Sequence, residues 1–276
     1  MTMITLQKLS PTVGAEVVGV DPKRLLDDET LATSTLEALD EHGVLVFRGL
    51  HLDDATQVAF SKRLGRVEVF GKGEHPEIFR VSLDPAKNRA ASYLRGTFDW
   101  HIDGLTEDIP IMATLLAAHA VATAGGETEF ASTYAAYDNL TDDEKERFAA
   151  IRVVHSLEAT QRMVNPNPTP EEVALWRKRP SKVHPLVWTH LSGRRSLVLG
   201  STTESVVGMD LAEGRAFLDG LLARATAPDR VYRHQWEVGD LVIWDNTGVL
   251  HRALPYDATS PRDMHRTTLY GKEAVQ

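Results

Sequence analysis

The chain has no cysteine among its 276 residues, which removes disulfides, thiolate catalysis and thiolate metal ligands from its chemistry. It also lacks any apolar run of the roughly 18 residues that a membrane helix needs. The first residues, Met1-Thr2-Met3-Ile4-Thr5-Leu6-Gln7-Lys8, show neither the positive start nor the long apolar stretch of a secretory signal. A soluble, cytoplasmic protein is the expectation. Positive charge is in short supply: 30 Lys and Arg against 39 Asp and Glu leave a formal net charge of -9. That balance argues against a general nucleic-acid or anionic-membrane binder, so an anionic substrate has to be drawn by a local basic pocket.

The length fits one domain, 1–276, able to bury a full core, and no linker, internal repeat or low-complexity segment interrupts it. Runs rich in Val, Ile and Leu predict strands over Val44-Arg48, Ile78-Ser82, Thr114-Ala118, Ile151-His155, Leu186-His190, Ser196-Gly200, Tyr232-Glu237, Asp240-Trp244 and Arg266-Tyr270. Capping boxes at Thr141 and Thr169 start two helices, Asp210 starts a third that runs to about Ala225, and Glu29-Glu41 and Asp54-Leu64 supply two more. Asn165-Pro166-Asn167-Pro168 reads as a loop. Many strands with helices clustered early and inserted between them favour a mainly β fold, an antiparallel β-sandwich or jelly-roll core, over alternating βαβ units.

The most informative residues are His101 and Asp103 in Trp100-His101-Ile102-Asp103-Gly104. Positions i and i+2 of an extended segment project to one side, so an imidazole and a carboxylate can reach one ion together. His251, after the expected strand Asp240-Trp244 and the polar turn Asp245-Asn246-Thr247-Gly248, can complete a face of two histidines and one carboxylate. A closed zinc site wants four ligands, usually with thiolates; a three-ligand face with open positions suits a redox iron. His-x-Asp also occurs at His51-Leu52-Asp53, where Asp53 is placed to cap the helix beginning at Asp54. Of the remaining histidines, His184, His190, His234 and His265 flank expected strands and are the nearest competitors for the ligand role.

Arg262 and Arg266 are four apart and share one side of an extended strand. Guanidinium forks bind carboxylates bidentately, so the pair can hold two acidic molecules or two ends of one; solvated arginines at a strand start are the ordinary alternative. Thr128, after Gly125-Gly126, offers a hydroxyl or is simply a β-strand threonine. Arg95, Arg89 and Lys72 are further basic candidates for an acidic substrate, although charged loop residues are usually just solvated.

Taken in order, Trp100-His101-Ile102-Asp103, Gly125-Gly126-Glu127-Thr128, Trp244-Asp245-Asn246 with His251, then Arg262 and Met264-His265-Arg266, resemble the motifs of the taurine/dichlorophenoxyacetate dioxygenase (TauD/TfdA) family. The resemblance covers nearly the whole chain, and Val231-Tyr232-Arg233-His234 with Val238-Gly239-Asp240-Leu241-Val242 is similar to its phenoxyacetate branch. It implies a double-stranded β-helix core, Fe(II) held by His101, Asp103 and His251, and 2-oxoglutarate held by Arg262 and Thr128. It also implies O2 as co-substrate and Arg266 facing a small anionic organic substrate. Family members are often dimers or tetramers, and nothing in these residues fixes the number.

The implied reaction converts 2-oxoglutarate to succinate and CO2 while a substrate C–H bond is oxidised. Hydroxylation next to a sulfonate group or an ether oxygen would make an unstable product that ends in cleavage, which makes an aryloxyalkanoate or an alkyl sulfonate the nearest substrate guess. The taurine branch usually has Asn four residues before the first ligand; this chain has Thr97, a departure from taurine recognition. A divalent-metal hydrolase or a non-catalytic cupin-like binding protein could use the same His/Asp/His site, but neither would require Arg262 or a keto acid.

Overall fold

The computed structural model describes residues 4–88, 90–91 and 93–276. Its strands are β1 (Thr5–Lys8), β2 (Ala15–Val18), β3 (Val44–Phe47), β4 (Phe79–Val81), β5 (Ala113–Ala120), β6 (Thr128–Ser132), β7 (Arg152–His155), β8 (Lys182–Pro185), β9 (Val187–Thr189), β10 (Arg195–Leu197), β11 (Thr203–Val206), β12 (Val231–His234), β13 (Leu241–Asp245), β14 (Val249–Ala253) and β15 (Asp263–Leu269). The helices are α1 (Pro22–Asp27), α2 (Leu31–His42), α3 (Asp54–Leu64), α4 (Thr133–Asp138), α5 (Asp142–Phe148), α6 (Leu157–Val164), α7 (Pro170–Trp176) and α8 (Leu211–Ala225). No described helix is long and apolar enough to cross a membrane.

A seven-stranded sheet in the order β1-β2-β3-β13-β5-β15-β4 forms the larger wall. Its pairings are antiparallel except for β2 with β3. β12, β6 and β14 form a smaller sheet, β11, β7 and β8 another, and β9 and β10 a two-stranded ribbon. Along β13, Leu241 and Ile243 face one core with α2 and α3, while Val242 and Trp244 face a second core shared with Phe130 of β6 and Val249 of β14. Both sides are buried, so β3 and β13 are written as continuous apolar runs rather than alternating ones. Burying each such Leu or Phe contributes about 1.5–3 kcal/mol. A third core gathers Val153, Trp188, Leu197, Leu218 and Leu221 around β7, β9, β10 and α8.

All nine expected strands correspond to strands of the sheets, with shifted ends; the last begins at Asp263 rather than Arg266. α3 has the expected bounds, and Asp53 caps it by accepting a 2.8 Å hydrogen bond from the Thr56 N–H, as the His51-Leu52-Asp53 stretch predicts. Both capping boxes are present at Thr141 and Thr169, and α8 ends at Ala225. The expected strand set did not include β6 or β14, the two that carry Thr128 and His251.

Candidate active site

His101 and His251 face each other across a single antiparallel bridge, each backbone N–H donating to the other's carbonyl at 3.0 and 2.9 Å. The extended segment expected at His101 is therefore this one bridge, and Asp103 follows in a turn. Gly200 fits underneath at a φ of +123°; a Cβ there would lie 2.9 Å from His101 Cα and from the Trp100 carbonyl oxygen. Only glycine supplies both the backbone angle and the space.

The bridge brings the two imidazoles together, with ring centres 4.1 Å apart and planes tilted by 47°. Their Nε2 atoms lie 3.6 and 3.7 Å from the two carboxylate oxygens of Asp103, and the donor atoms of all three residues fall within 4.8 Å of one another. His101 Nδ1 lies 2.8 Å from the Asp99 carbonyl oxygen. Donation to that acceptor fixes the tautomer and leaves the Nε2 lone pair directed at the shared space. Burial, with repulsion from His101, pushes the His251 imidazole down to about 3, so it is neutral and free to donate electrons. Burial raises the Asp103 carboxyl, but His251, His101 and Arg266 outweigh it and hold it below the ordinary range. Two imidazoles and one carboxylate, with no thiolate available, fit a divalent cation of the iron type.

On the other side of the cavity Arg262 is only 2% exposed. Among the described residues no carboxylate pairs with it; its guanidinium reaches the Tyr256 hydroxyl at 3.4 Å and lies over that ring at 4.8 Å. Burial lowers its pKa from the usual arginine value. Gly126, at a φ of +79°, leaves room beside it, where a Cβ would meet Arg262 Cδ and Nε at 3.2 Å. Thr128 is buried at the start of β6, and its hydroxyl oxygen accepts a 2.9 Å hydrogen bond from the Trp236 indole N–H. With the oxygen so occupied, the hydroxyl proton is free to be donated to an anion. Thr128, Arg262, His101, Asp103, His251 and Arg266 line one cavity.

Arg266 sits at the mouth of this cavity, its Nη1 3.6 Å from Asp103 and its guanidinium 4.7 Å over the Phe79 ring. A wider groove continues outward from Leu94, Thr97 and Arg266, with Phe79, Leu105 and Leu157 in its walls and Lys178, Arg179 and Lys182 along its rim. Arg95 lies in a neighbouring groove, Lys72 is exposed, and Arg89 is outside the described residues. His184, His190, His234 and His265 do not join the His101 cluster; their ring nitrogens lie within hydrogen-bond distance of the Leu105 carbonyl, Glu273 and Ser196, Tyr232, and Asp54 respectively.

Trp236, Tyr256 and the Asp99 carbonyl are site groups that the sequence does not reveal. Trp236 is one aromatic within an expected strand, and a backbone carbonyl leaves no signal in composition. Asn246 serves the site through the backbone. Its amide accepts from the Trp244 indole and donates to Thr114, both within 3.0 Å, which locks the turn that leads into β14.

Residues 5–268 match the model of the family described as taurine catabolism dioxygenase TauD, TfdA family. The chain is 36% identical over 250 residues to an alpha-ketoglutarate-dependent 2,4-dichlorophenoxyacetate dioxygenase of Burkholderia sp. (strain RASC), covering 85% of this chain and 84% of that protein. It is 32% identical to an (S)-phenoxypropionate/alpha-ketoglutarate-dioxygenase of Delftia acidovorans, over 100% of this chain and 98% of that one. A crystal structure of AAD-2 in complex with Mn(II) and N-oxalylglycine superposes with a TM-score of 0.83 at 32% identity, covering 99% of this chain and 100% of that one.

Proposed function

The chain belongs to the TauD/TfdA dioxygenase family, and from that membership we propose that it oxidises a small organic acid with an apolar, aryloxyalkanoate-like body. It is an Fe(II)- and 2-oxoglutarate-dependent dioxygenase, as its relatives are. When bound, iron, 2-oxoglutarate and O2 supply the oxidation: one oxygen atom goes into succinate as CO2 leaves, and the other enters a substrate C–H bond. The hydrolase and binding-protein alternatives are not favoured, because the relatives are alpha-ketoglutarate-dependent dioxygenases.

In this reading the sheets β1-β2-β3-β13-β5-β15-β4 and β12-β6-β14 are the two walls of a double-stranded β-helix, within a single domain. His101, Asp103 and His251 hold the iron on one face and leave the opposite face for small ligands. Arg262 and the Thr128 hydroxyl take the distal carboxylate of 2-oxoglutarate. N-oxalylglycine, present in the AAD-2 structure, differs from 2-oxoglutarate only by an NH in place of one methylene. Such charge-assisted, bidentate hydrogen bonds are short and strong in a dry cavity.

The observation that carries the reading is the buried Arg262 guanidinium without a carboxylate, in one cavity with the His101, Asp103 and His251 cluster. An unpaired buried charge is costly, so the cavity is built for an acid that arrives from outside. For the primary substrate, Phe79, Leu105 and Leu157 provide an apolar wall and Arg266 faces an anionic head, while Lys182 and Arg179 are paired with Asp108 and Glu107 of the same groove. That combination favours an aryloxyalkanoate over a compact alkyl sulfonate. Hydroxylation beside its ether oxygen gives a hemiacetal, which collapses to a phenol and a keto acid. The test is 2-oxoglutarate consumption with a panel of aryloxyalkanoates, sulfonates and sulfate esters. Aryloxyalkanoate stimulation that Arg266→Ala weakens supports the assignment, and stimulation by sulfonates or sulfate esters alone overturns it.

A further inference from the structure

The large sheet carries a second group of two histidines and one carboxylate on the face turned away from the cavity. Along β15, Met264 packs into the inner core and Leu269 into the outer one beneath the helices, so the period-two alternation puts His265 on the outer face. On β5, Leu115 and Ala117 belong to the outer core, which places His119 on the same side. Asp54, the first residue of α3, closes the triangle. The donor atoms of Asp54, His119 and His265 all lie within 4.8 Å of one another.

The group is incompletely satisfied by the protein itself. His265 Nδ1 lies 2.5 Å from Asp54 Oδ1, whereas His119 Nε2, 3.9 Å from the same oxygen, is buried with no hydrogen-bond partner among the described residues. The two rings stack with centres 3.7 Å apart. Burial, with repulsion from His265, lowers the His119 pKa, so its nitrogen keeps a free lone pair. Asp53 caps α3, which leaves the Asp54 carboxylate without that role. His265 Nε2 faces Asp263 at 3.9 Å, in the position of the outer carboxylate that commonly orients a metal-bound imidazole. Arg80 and Lys87 offset the charge of Asp263. Gln57 and Ser61 of α3 bond to β15 next door, Ser61 Oγ lying 2.7 Å from Thr267 Oγ1, and hold the helix against the strand. The side chains of Asp54, His119 and His265 are 29%, 31% and 13% exposed, so the place is open to solvent.

We propose that Asp54, His119 and His265 form a second divalent-metal site, for a zinc- or copper-type cation, that staples α3 to β5 and β15. Imidazole-rich sets without thiolates select these cations over magnesium or calcium, and three protein ligands leave a position for water. The site is independent of the dioxygenase reading and lies on the strand whose opposite face presents Arg266.

Equilibrium dialysis of the full chain against Zn(II) tests it. The expected result is two equivalents for the unaltered chain, one for His119→Ala, one for Asp54→Asn, one for His251→Ala and none for the His119→Ala/His251→Ala pair. Zinc should also raise Tm less in His119→Ala than in the unaltered chain, since a ligand bound only by the folded state stabilises it. His119→Ala should keep its 2-oxoglutarate turnover with Fe(II). One equivalent that survives both His119→Ala and Asp54→Asn but is lost in His251→Ala overturns the second site and leaves the first intact. One equivalent lost in His119→Ala but kept in His251→Ala supports the second site and removes the first.

Discussion

Arg262 sets the energetic problem at the scale of single residues. The residue is 2% exposed, and among the described residues its guanidinium hydrogen-bonds only to the Tyr256 hydroxyl, so on the proposed reading it weakens the empty protein and strengthens the liganded one. Arg262→Met should therefore raise the 2-oxoglutarate KM by tens to hundreds of fold, from the loss of roughly 1.5–3 kcal/mol of charged hydrogen bonding, while leaving the Tm of the ligand-free protein unchanged or higher. A lower Tm with unchanged KM would contradict the assignment. Trp236→Phe removes the N–H that occupies the Thr128 oxygen; KM for 2-oxoglutarate should rise by about fivefold, roughly 1 kcal/mol for one hydrogen bond, with Zn(II) binding at the His101 cluster unaffected. An unchanged KM would show that the Thr128 hydroxyl needs no such orientation. His101, Asp103 and His251, which the fold gathers into one cluster, were legible from ligand type and spacing, whereas Thr128 and Arg262 stood out only through the ordered motifs of the family resemblance. Trp236 and Tyr256 were not, since they act on those residues and reach them only through the fold.

Elements place these side chains, and their signals differ in strength. α3 was readable to its ends because Asp53 and the following residues write a cap in one short stretch; Asp53→Ala should cost about 1 kcal/mol and lower Tm by about 2–4 °C without moving either KM. A shift in KM would mean that the cap reaches the site. β3 and β13 were readable as apolar runs, being buried on both faces. β6 and β14 were harder: Thr128-Glu129-Phe130 and His251-Arg252 mix charges into a strand. The reason is local, since Glu129 is buried between Arg233 and Arg252 at 2.8 Å from each Nε, and paired charges let a polar sequence stay in a sheet. The bridge that brings His101 to His251 joins positions far apart in the chain, so only the folded sheet creates it. Gly200→Ala should loosen that bridge, lowering both Tm and metal affinity at the His101 cluster; affinity unchanged in a destabilised protein would separate the two.

The whole molecule carries several histidines that folding keeps neutral. His155 in β7 is fully buried, its Nδ1 2.9 Å from Thr202 Oγ1, and burial with repulsion from His184 pushes it down to about 3. Burial lowers His184 and His234 as well. Below the ordinary value of 6.5 the unfolded chain binds protons that the folded one refuses, so stability falls as pH drops from 6.5 toward 3. His155→Gln should flatten that slope in denaturant titrations across this range; an equal slope would mean that other groups set the acid limb. The general class, mainly β with flanking helices, was legible from the spacing of apolar runs. The partition into a seven-stranded wall and smaller sheets was not, because pairing between distant strands is decided by packing rather than by local pattern.

Together, the His101, Asp103 and His251 cluster and the Arg262 pocket are held to run a keto-acid-dependent oxidation. The most direct measurement is O2 uptake and succinate release with Fe(II), 2-oxoglutarate and an aryloxyalkanoate, in the unaltered chain and in His251→Ala. Substrate-stimulated succinate is expected in the first and none above background in the second. Undiminished turnover in His251→Ala, or no 2-oxoglutarate consumption in either, would contradict it.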